Sequence, residues 1–171
     1  YNMANLEWSD ALALDLPAMD DTHQEFVELL AKVENAPDAK LLEQWTELID
    51  HTDDHFGRED EWMHNTRFAS SNCHSMQHKV VLQVMREGQK HGRDGNLAMV
   101  REMARELALW FPQHAQSMDA ALALHLRGIG YDPVTGIVSM PDALPADIIH
   151  GCGGASCSDT EAPASQAAGT A

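Results

Sequence analysis

Apolar residues recur three and four positions apart along most of the chain, a spacing that predicts four long helices. Proline, glycine and capping residues mark where these helices begin and end. The predicted helices run from Met19 to before Pro37, from Asp38 to about His64, from an N-cap at Ser70 or Ser71 to the glycines Gly88, Gly92 and Gly95, and from about Asn96 to Leu126, closed by Gly128.

The connections between these helices are short, which favours antiparallel packing of sequential neighbours. Nothing between residues 17 and 127 shows the alternating pattern of a strand. The pattern therefore predicts an all-α fold, an up-down-up-down four-helix bundle. The apolar face of its third helix would consist of Val80, Val81, Val84 and Met85.

The two ends of the chain differ from the predicted helices in composition and in the pattern of apolar residues. Residues 1–16 predict an extended N-terminal arm with apolar anchors, so that the bundle domain covers residues 1–130. Residues 131–171 are rich in proline, glycine and serine. Such a segment buries too little apolar surface to offset its ordering entropy, so we predict a flexible, disordered C-terminal extension.

Charge and composition narrow the possible partners. The 171 residues include 27 acidic and 11 basic side chains, a formal net charge of −16, which repels phosphate backbones and anionic lipid. No apolar run approaches the length of a membrane span, and no secretory leader is visible at the first residues. Three cysteines make no disulfide framework. We therefore expect a cytoplasmic protein with no nucleic-acid partner and no membrane insertion.

Histidine is the residue type that carries the chemistry. Ten histidines are present, and the pairs His51/His55 and His74/His78 are each spaced four apart on a predicted helix. Residues four apart project from one helix face on successive turns, so both imidazoles of a pair can reach one ion. Each of the four helices contributes ligand-type side chains to the candidate set: His23, His55, Glu59, His74, His78, His114 and Asp119.

So many buried polar side chains point to bound metal. Each one without a partner in an apolar core would cost several kcal/mol, unless the set shares a large positive charge. A mixed set of imidazoles and carboxylates suits iron, manganese or zinc, and seven ligands suit two metals bridged by carboxylates. A ferritin-like carboxylate site requires two Glu-x-x-His pairs. The chain offers one, Glu61/His64, so that class of site is excluded.

At residues 5–127 the chain resembles the bacterial hemerythrins. The matching motifs keep the family's order: His23-Gln24, His55-Phe56-x-x-Glu59 followed by Met63, His74-x3-His78, and Trp110-x3-His114-x4-Asp119. The resemblance implies a non-haem, hydroxo-bridged di-iron centre. By position, His74, His78 and His114 would hold one iron, His23 and His55 the other, and Glu59 and Asp119 would bridge the two.

The resemblance also implies that the iron with two histidines has an open position for dioxygen. Phe56 and Trp110 occupy pocket-lining positions of the family, and Phe26, Phe111 and Ala115 are further candidates for the oxygen pocket. We expect Pro112 to remove one backbone hydrogen bond and kink the fourth helix. The five-residue spacing of His114 and Asp119 predicts a local unwinding or a π turn in the same helix.

The expected function is reversible dioxygen binding as a carrier, store or delivery protein, without enzymatic turnover. Two alternatives stay open: an oxygen or redox sensor, and a di-iron enzyme such as a peroxidase, a nitric-oxide-handling protein or an iron–sulfur repair protein. Beyond dioxygen, the candidate partner is an oxygen-consuming enzyme that docks on the C-terminal tail. His51, one turn before His55, is either a pocket-rim residue or a surface residue.

Overall fold

The prediction of an all-α bundle is confirmed. A computed structural model describes residues 5–68 and 73–149. Within these residues, the β-structure is limited to two isolated bridges. The helices are α1 (Pro17–Glu34), α2 (Asp38–Asn65), α3 (Cys73–Arg93), α4 (Leu97–His114) and α5 (Ala120–Gly128), and a π turn, Ala115–Asp119, joins α4 to α5.

The helices pack in the order in which they follow one another along the chain. α1 contacts α2, α2 contacts α3 and α3 contacts α4, while α1 also packs against α4 and closes the bundle. α5 continues α4 beyond the π turn, so the two together form the fourth long helix. None of the described helices is both long enough and apolar enough to cross a lipid bilayer.

Local sequence explains where the helices start. Pro17 is the first residue of α1, two positions earlier than predicted, where its missing N–H and fixed φ fit the first turn. The Asn96 side chain caps α4 by accepting a hydrogen bond from the Met99 N–H at 3.2 Å. The N-cap predicted at Ser70 or Ser71 lies outside the described residues.

Two apolar clusters fill the bundle, one on each side of a polar layer. The larger cluster includes Phe26, Trp45 and Phe111, all at most 1% exposed. The smaller one includes Met19, Met63 and Leu122. The buried histidines and carboxylates lie between the two clusters. This arrangement holds the polar layer away from solvent.

The predicted apolar face of the third helix is wrong in part. Met85 is buried, but Val80 is 54% exposed and Val84 is 47% exposed. The predicted end of this helix is also wrong, since α3 continues through Gly88 and Gly92 to Arg93. Both glycines are buried at helix contacts, where a Cβ would meet neighbouring side chains. They serve close helix packing and not helix termination.

The N-terminal arm packs on the bundle as expected. Leu12 and Leu16 are buried, and the arm contains a short 3₁₀ turn over Asp10–Leu12. The Asp20 carboxylate on α1 accepts hydrogen bonds from the Leu14 and Leu16 N–H groups at 2.7 and 3.3 Å. These bonds tie the arm to the first turn of α1.

The first part of the C-terminal extension, which we predicted to be disordered, contacts the bundle. The Ile149 N–H donates to the Arg67 carbonyl at 2.9 Å, next to a parallel bridge between Phe68 and Ile149. The Arg67 guanidinium in turn donates to the Pro145 carbonyl at 2.8 Å. Apolar residues such as Tyr131 and Leu144 also pack on the smaller cluster. A prediction from composition alone overlooks contacts of this kind. The rest of the extension lies outside the described residues.

Candidate metal centre

All seven predicted ligands meet in the polar layer of the bundle. α1 provides His23, α2 provides His55 and Glu59, and α3 provides His74 and His78, while His114 and Asp119 lie at the two ends of the π-turn segment. Each of the seven side chains is at most 3% exposed. The four helices therefore deliver a buried set of five imidazoles and two carboxylates.

The donor atoms form two groups, each with all its atoms within 4.8 Å of one another. The three-histidine group contains His74, His78 and His114, and the two-histidine group contains His23 and His55. Glu59 and Asp119 belong to both groups. The three-histidine group thus offers five protein side chains and the two-histidine group four.

Each carboxylate turns one oxygen toward each group. Asp119 Oδ2 lies 3.1 Å from His23 Nε2, whereas its Oδ1 lies 2.9 Å from His74 Nε2 and 3.0 Å from His114 Nε2. The two carboxylate oxygens are thereby divided between the groups, which is the placement that a bridging ligand requires.

Glu59 repeats this division from α2. Its Oε1 lies 2.8 Å from His55 Nε2, and its Oε2 lies 3.3 Å from His78 Nε2. Longer contacts of 3.5 Å join Oε1 to His23 Nε2 and Oε2 to His74 Nε2. All five histidines therefore present the same ring nitrogen, Nε2, to the shared carboxylates.

Most of these facing atoms are close to one another but not aligned for hydrogen bonds. The orphaned atoms include both Asp119 oxygens, Glu59 Oε2, and the Nε2 atoms of His23, His74, His78 and His114. Buried polar atoms normally have hydrogen-bond partners, and leaving one unpaired costs roughly 1–3 kcal/mol. Atoms that point at a common centre instead of at each other fit bound cations, so the residues present suit a metal cluster.

The electrostatics of the metal-free protein agree with this fit. Burial alone would lower the pKa values of His23 and His74, but the adjacent carboxylates of Asp119 and Glu59 raise them to about 10 and about 9. Burial alone would raise the pKa values of the two carboxyl groups, yet the surrounding histidines hold both well below their usual range. Protons on the histidines thus balance a doubly anionic centre where cations would otherwise do so.

The π turn brings His114 and Asp119 to the same centre. In a regular α-helix five residues rotate a side chain by about 500°, which would leave Asp119 about 140° away from His114. The Ala120 N–H instead donates to the Ala115 carbonyl, five residues back, and the wider turn absorbs one residue. The Ser117 hydroxyl donates to the Gln113 carbonyl at 2.6 Å. Of the two predicted distortions, the π turn is the one observed.

The predicted pocket residues fall on both sides of the centre. Phe111 meets His23 edge-on at 5.2 Å and stacks on Phe26 at 4.6 Å between ring centroids. Ala115 is fully buried in the same apolar cluster. Phe111 and Phe26 therefore lie on the side of the two-histidine group, while Ala115 is a buried member of the same cluster.

Phe56 and Trp110 lie mainly against the three-histidine group. Phe56 stacks on His78 at 4.0 Å between ring centroids and lies 5.4 Å from His55. Trp110 stacks on His114 at 4.4 Å. Of the two, only Phe56 has a ring contact with both groups, whereas the position of Trp110 favours a role in holding His114.

Two polar residues beside the ligands escaped sequence reasoning. Each histidine has an outer ring nitrogen, Nδ1, opposite the Nε2 that faces the shared carboxylates. Asp60 contacts the outer nitrogen of His78, and Gln77 contacts that of His114. Both contacts cross between helices, so no spacing along the chain signals them. His51 lies at the rim, where its Nε2 contacts Glu25 Oε2 at 3.0 Å.

Cys73, which precedes His74, is disulfide-bonded. The odd number of cysteines gave no reason to expect this pairing. The other two cysteines, Cys152 and Cys157, lie outside the described residues. The N-terminus of α3, and with it the ligand His74, therefore adjoins a covalent cross-link.

Comparison with known proteins places the chain in a family of cation-binding domains. The family described as "Hemerythrin HHE cation binding domain" matches residues 14–124. A bacteriohemerythrin of Ralstonia nicotianae is 35% identical over 130 residues, which cover 76% of this chain and 95% of the relative. No solved structure matches the chain significantly.

More distant relatives carry the same name. A bacteriohemerythrin of Pseudomonas aeruginosa is 26% identical over 122 residues, covering 69% of this chain and 79% of the relative. One of Stenotrophomonas maltophilia is 26% identical over 125 residues, covering 71% and 81%. With a buried cluster of histidines and carboxylates able to hold metal, the chain belongs to the hemerythrin family of cation-binding proteins.

Proposed function

We propose that this protein binds dioxygen reversibly at a non-haem di-iron centre and acts as an oxygen carrier, store or delivery protein. The observation that carries the proposal is the division of the Glu59 and Asp119 oxygens between two histidine groups. Two carboxylates shared in this way fit two metal ions side by side. The proposal is also supported by similarity to the bacteriohemerythrins, which belong to the same family.

His74, His78 and His114 would hold one iron, and His23 and His55 the other, with both carboxylates between them. Iron bound in this way would supply the two electrons that reversible dioxygen binding requires. The two-histidine group has one protein ligand fewer than the other group. That difference supports the two-histidine group as the place where an external ligand is received.

The side chains around the two-histidine group favour binding over turnover. Phe111 and Phe26 pack beside His23 and are each 1% exposed, so they exclude water from this side of the centre. His51 also lies on this side, with its ring 6.2 Å from that of His55 and its Nε2 in contact with Glu25. A dry, apolar surrounding of the two-histidine group supports retention and release of an unaltered ligand.

Cycling between air and argon tests the proposal. Metal-free protein is loaded anaerobically with ferrous iron, exposed to air and then purged with argon, while the visible absorption spectrum is followed. We expect an oxygen-dependent band that disappears on purging and returns on re-exposure. Irreversible conversion to a plain diferric spectrum would overturn the carrier proposal and favour an oxidase or a sensor.

A matched pair of variants isolates the role of the pocket. Phe111→Ala removes a ring that contacts His23, whereas Phe68→Ala removes a similarly buried ring of the smaller cluster, which contacts His125 and none of the five ligand rings. Each change is expected to destabilise the fold by about 3–5 kcal/mol. Only Phe111→Ala should shorten the lifetime of the oxygenated state, and equal lifetimes in the two variants would contradict the pocket assignment.

A further inference from the structure

The outer ring nitrogens of the five histidines differ in their surroundings. His78 Nδ1 lies 2.9 Å from Asp60 Oδ1, and His114 Nδ1 lies 3.1 Å from Gln77 Oε1. The Nδ1 atoms of His23, His55 and His74 are buried and have no hydrogen-bond partner within residues 5–68 and 73–149. In this part of the chain, anchored imidazoles are found only in the three-histidine group.

Asp60 selects the tautomer of His78. The carboxylate accepts hydrogen bonds, so His78 Nδ1 must carry the proton that it donates to Asp60. His78 Nε2, which faces Glu59, is then left with its lone pair directed into the centre. The Asp60 side chain is 36% exposed and the His78 side chain 1%, so the contact links solvent to a buried ligand.

Trp110 and Gln77 together select the tautomer of His114: Trp110 orients the Gln77 amide, and Gln77 contacts His114. The Trp110 indole N–H can only donate, and its partner at 3.3 Å is the Gln77 side chain, so the amide atom facing it must be the oxygen. The same oxygen faces His114 Nδ1, which must therefore carry a proton. His114 Nε2, next to Asp119, is left free to bind a cation.

We propose that Asp60 and Gln77 are positioning residues that fix the tautomers and ring orientations of His78 and His114 and make the three-histidine group the tighter metal site, which fills first. Outer partners of metal-binding histidines typically change metal affinity by about 10–100-fold. The two-histidine group has neither an anchored imidazole nor a fifth protein ligand, so it is the weaker site. This assignment rests on the metal binding in the proposed function but not on dioxygen.

Titration of the metal-free protein with cobalt(II), followed by its visible spectrum and by chelator competition, tests the assignment. The parent protein should bind two ions in two resolved steps. Asp60→Ala and Gln77→Leu should each weaken the first step by about 10–100-fold. Asp60→Asn, which keeps a hydrogen-bond acceptor without the charge, should lose less metal affinity than Asp60→Ala. Asp60→Glu should retain most of the affinity of the parent protein.

Asp53→Asn is the matched control. Asp53 is another exposed carboxylate of α2 that pairs with Arg86 at 2.7 Å and does not contact a histidine. This variant should titrate like the parent, and Trp110→Phe, which keeps the ring but loses the indole N–H, should weaken the first step. Thermal unfolding of the metal-free variants separates positioning from a general loss of structure, because one unpaired histidine Nδ1 lowers the melting temperature by only a few degrees and leaves the unfolding transition cooperative.

Two results would overturn the assignment. One is a first step of equal affinity in Asp60→Ala, Gln77→Leu and Asp53→Asn, and the other is a single unresolved step in the parent protein. Failure of the proposed dioxygen binding would leave a normal two-step cobalt titration, so the two failures are distinguishable.

Discussion

The π turn between α4 and α5 makes a prediction that can be checked with a single deletion. Gln116 is an exposed residue of this turn, and its removal leaves Asp119 four positions after His114. Four residues of a regular α-helix rotate by about 400°, so the two side chains would lie about 40° apart on one face. Deletion of Gln116 should therefore convert the π turn to α-helix and keep both ligands at the centre.

An insertion at the same place gives the opposite result. An extra alanine after Gln116 places Asp119 six positions after His114, about 120° off the shared face. It also rotates Leu122 and Leu126, both 0% exposed, out of the smaller cluster. Removing the Asp119 carboxylate from its buried histidine partners should cost about 3–5 kcal/mol, before the loss of leucine burial is counted.

Metal content and thermal unfolding of the two variants provide the assay. The deletion variant should retain two metal ions per chain and a melting temperature no lower than that of the parent, whereas the insertion variant should lose metal and unfold at lower temperature. If the deletion variant lost metal as completely as the insertion variant, the π turn would be required in itself and not as a correction of spacing.

Three further predictions follow from single features. Metal-free protein should lose stability as the pH rises through 9 to 10, because His23 and His74 have pKa values of about 10 and about 9, above the ordinary 6.5. Their contribution to the free energy of unfolding is complete only below pH 6.5. Metal loading at about pH 8 should release both protons into a weakly buffered solution, and an unchanged pH would contradict this. Gly92→Ala should destabilise the fold by about 1–3 kcal/mol in a denaturant titration, because its Cβ would lie 2.9 Å from Val100 Cγ2. Gly57→Ala, whose Cβ would have no atom within 4 Å, should instead stabilise the fold by about 0.5–1 kcal/mol. Equal changes in the free energy of unfolding would refute the packing role of Gly92. Because Cys73 is disulfide-bonded, an alkylating reagent should label it in mass spectrometry only after reduction, and labelling before reduction would disprove the cross-link.

The sequence predicted the helices and the candidate ligands because each depends on local spacing. Helical periodicity and the pairs His74/His78 and His55/Glu59 are properties of a single helix, so they can be read along the chain. The five-residue spacing of His114 and Asp119 indicated a distortion but did not distinguish a π turn from unwinding. That choice depends on backbone hydrogen bonds, such as the one from Ala120 to Ala115.

What the sequence did not reveal depends on contacts between distant residues. Val80 and Val84 fit an apolar stripe, yet α3 turns them to the surface, because a valine pattern alone does not tell which side a neighbouring helix covers. The Asp60–His78 contact crosses from α2 to α3. The segment ending at Ile149 is held by the backbone of Arg67, which lies far earlier in the chain, and composition cannot anticipate such a contact.

A crystal structure of iron-loaded protein, with anomalous diffraction at the iron edge, would show whether the seven buried side chains hold two metal ions. We predict two anomalous peaks, one bound by His74, His78 and His114, the other by His23 and His55, with Glu59 and Asp119 bound to both. A single peak at this centre, or two peaks without a shared carboxylate, would rule out a carboxylate-bridged pair of ions.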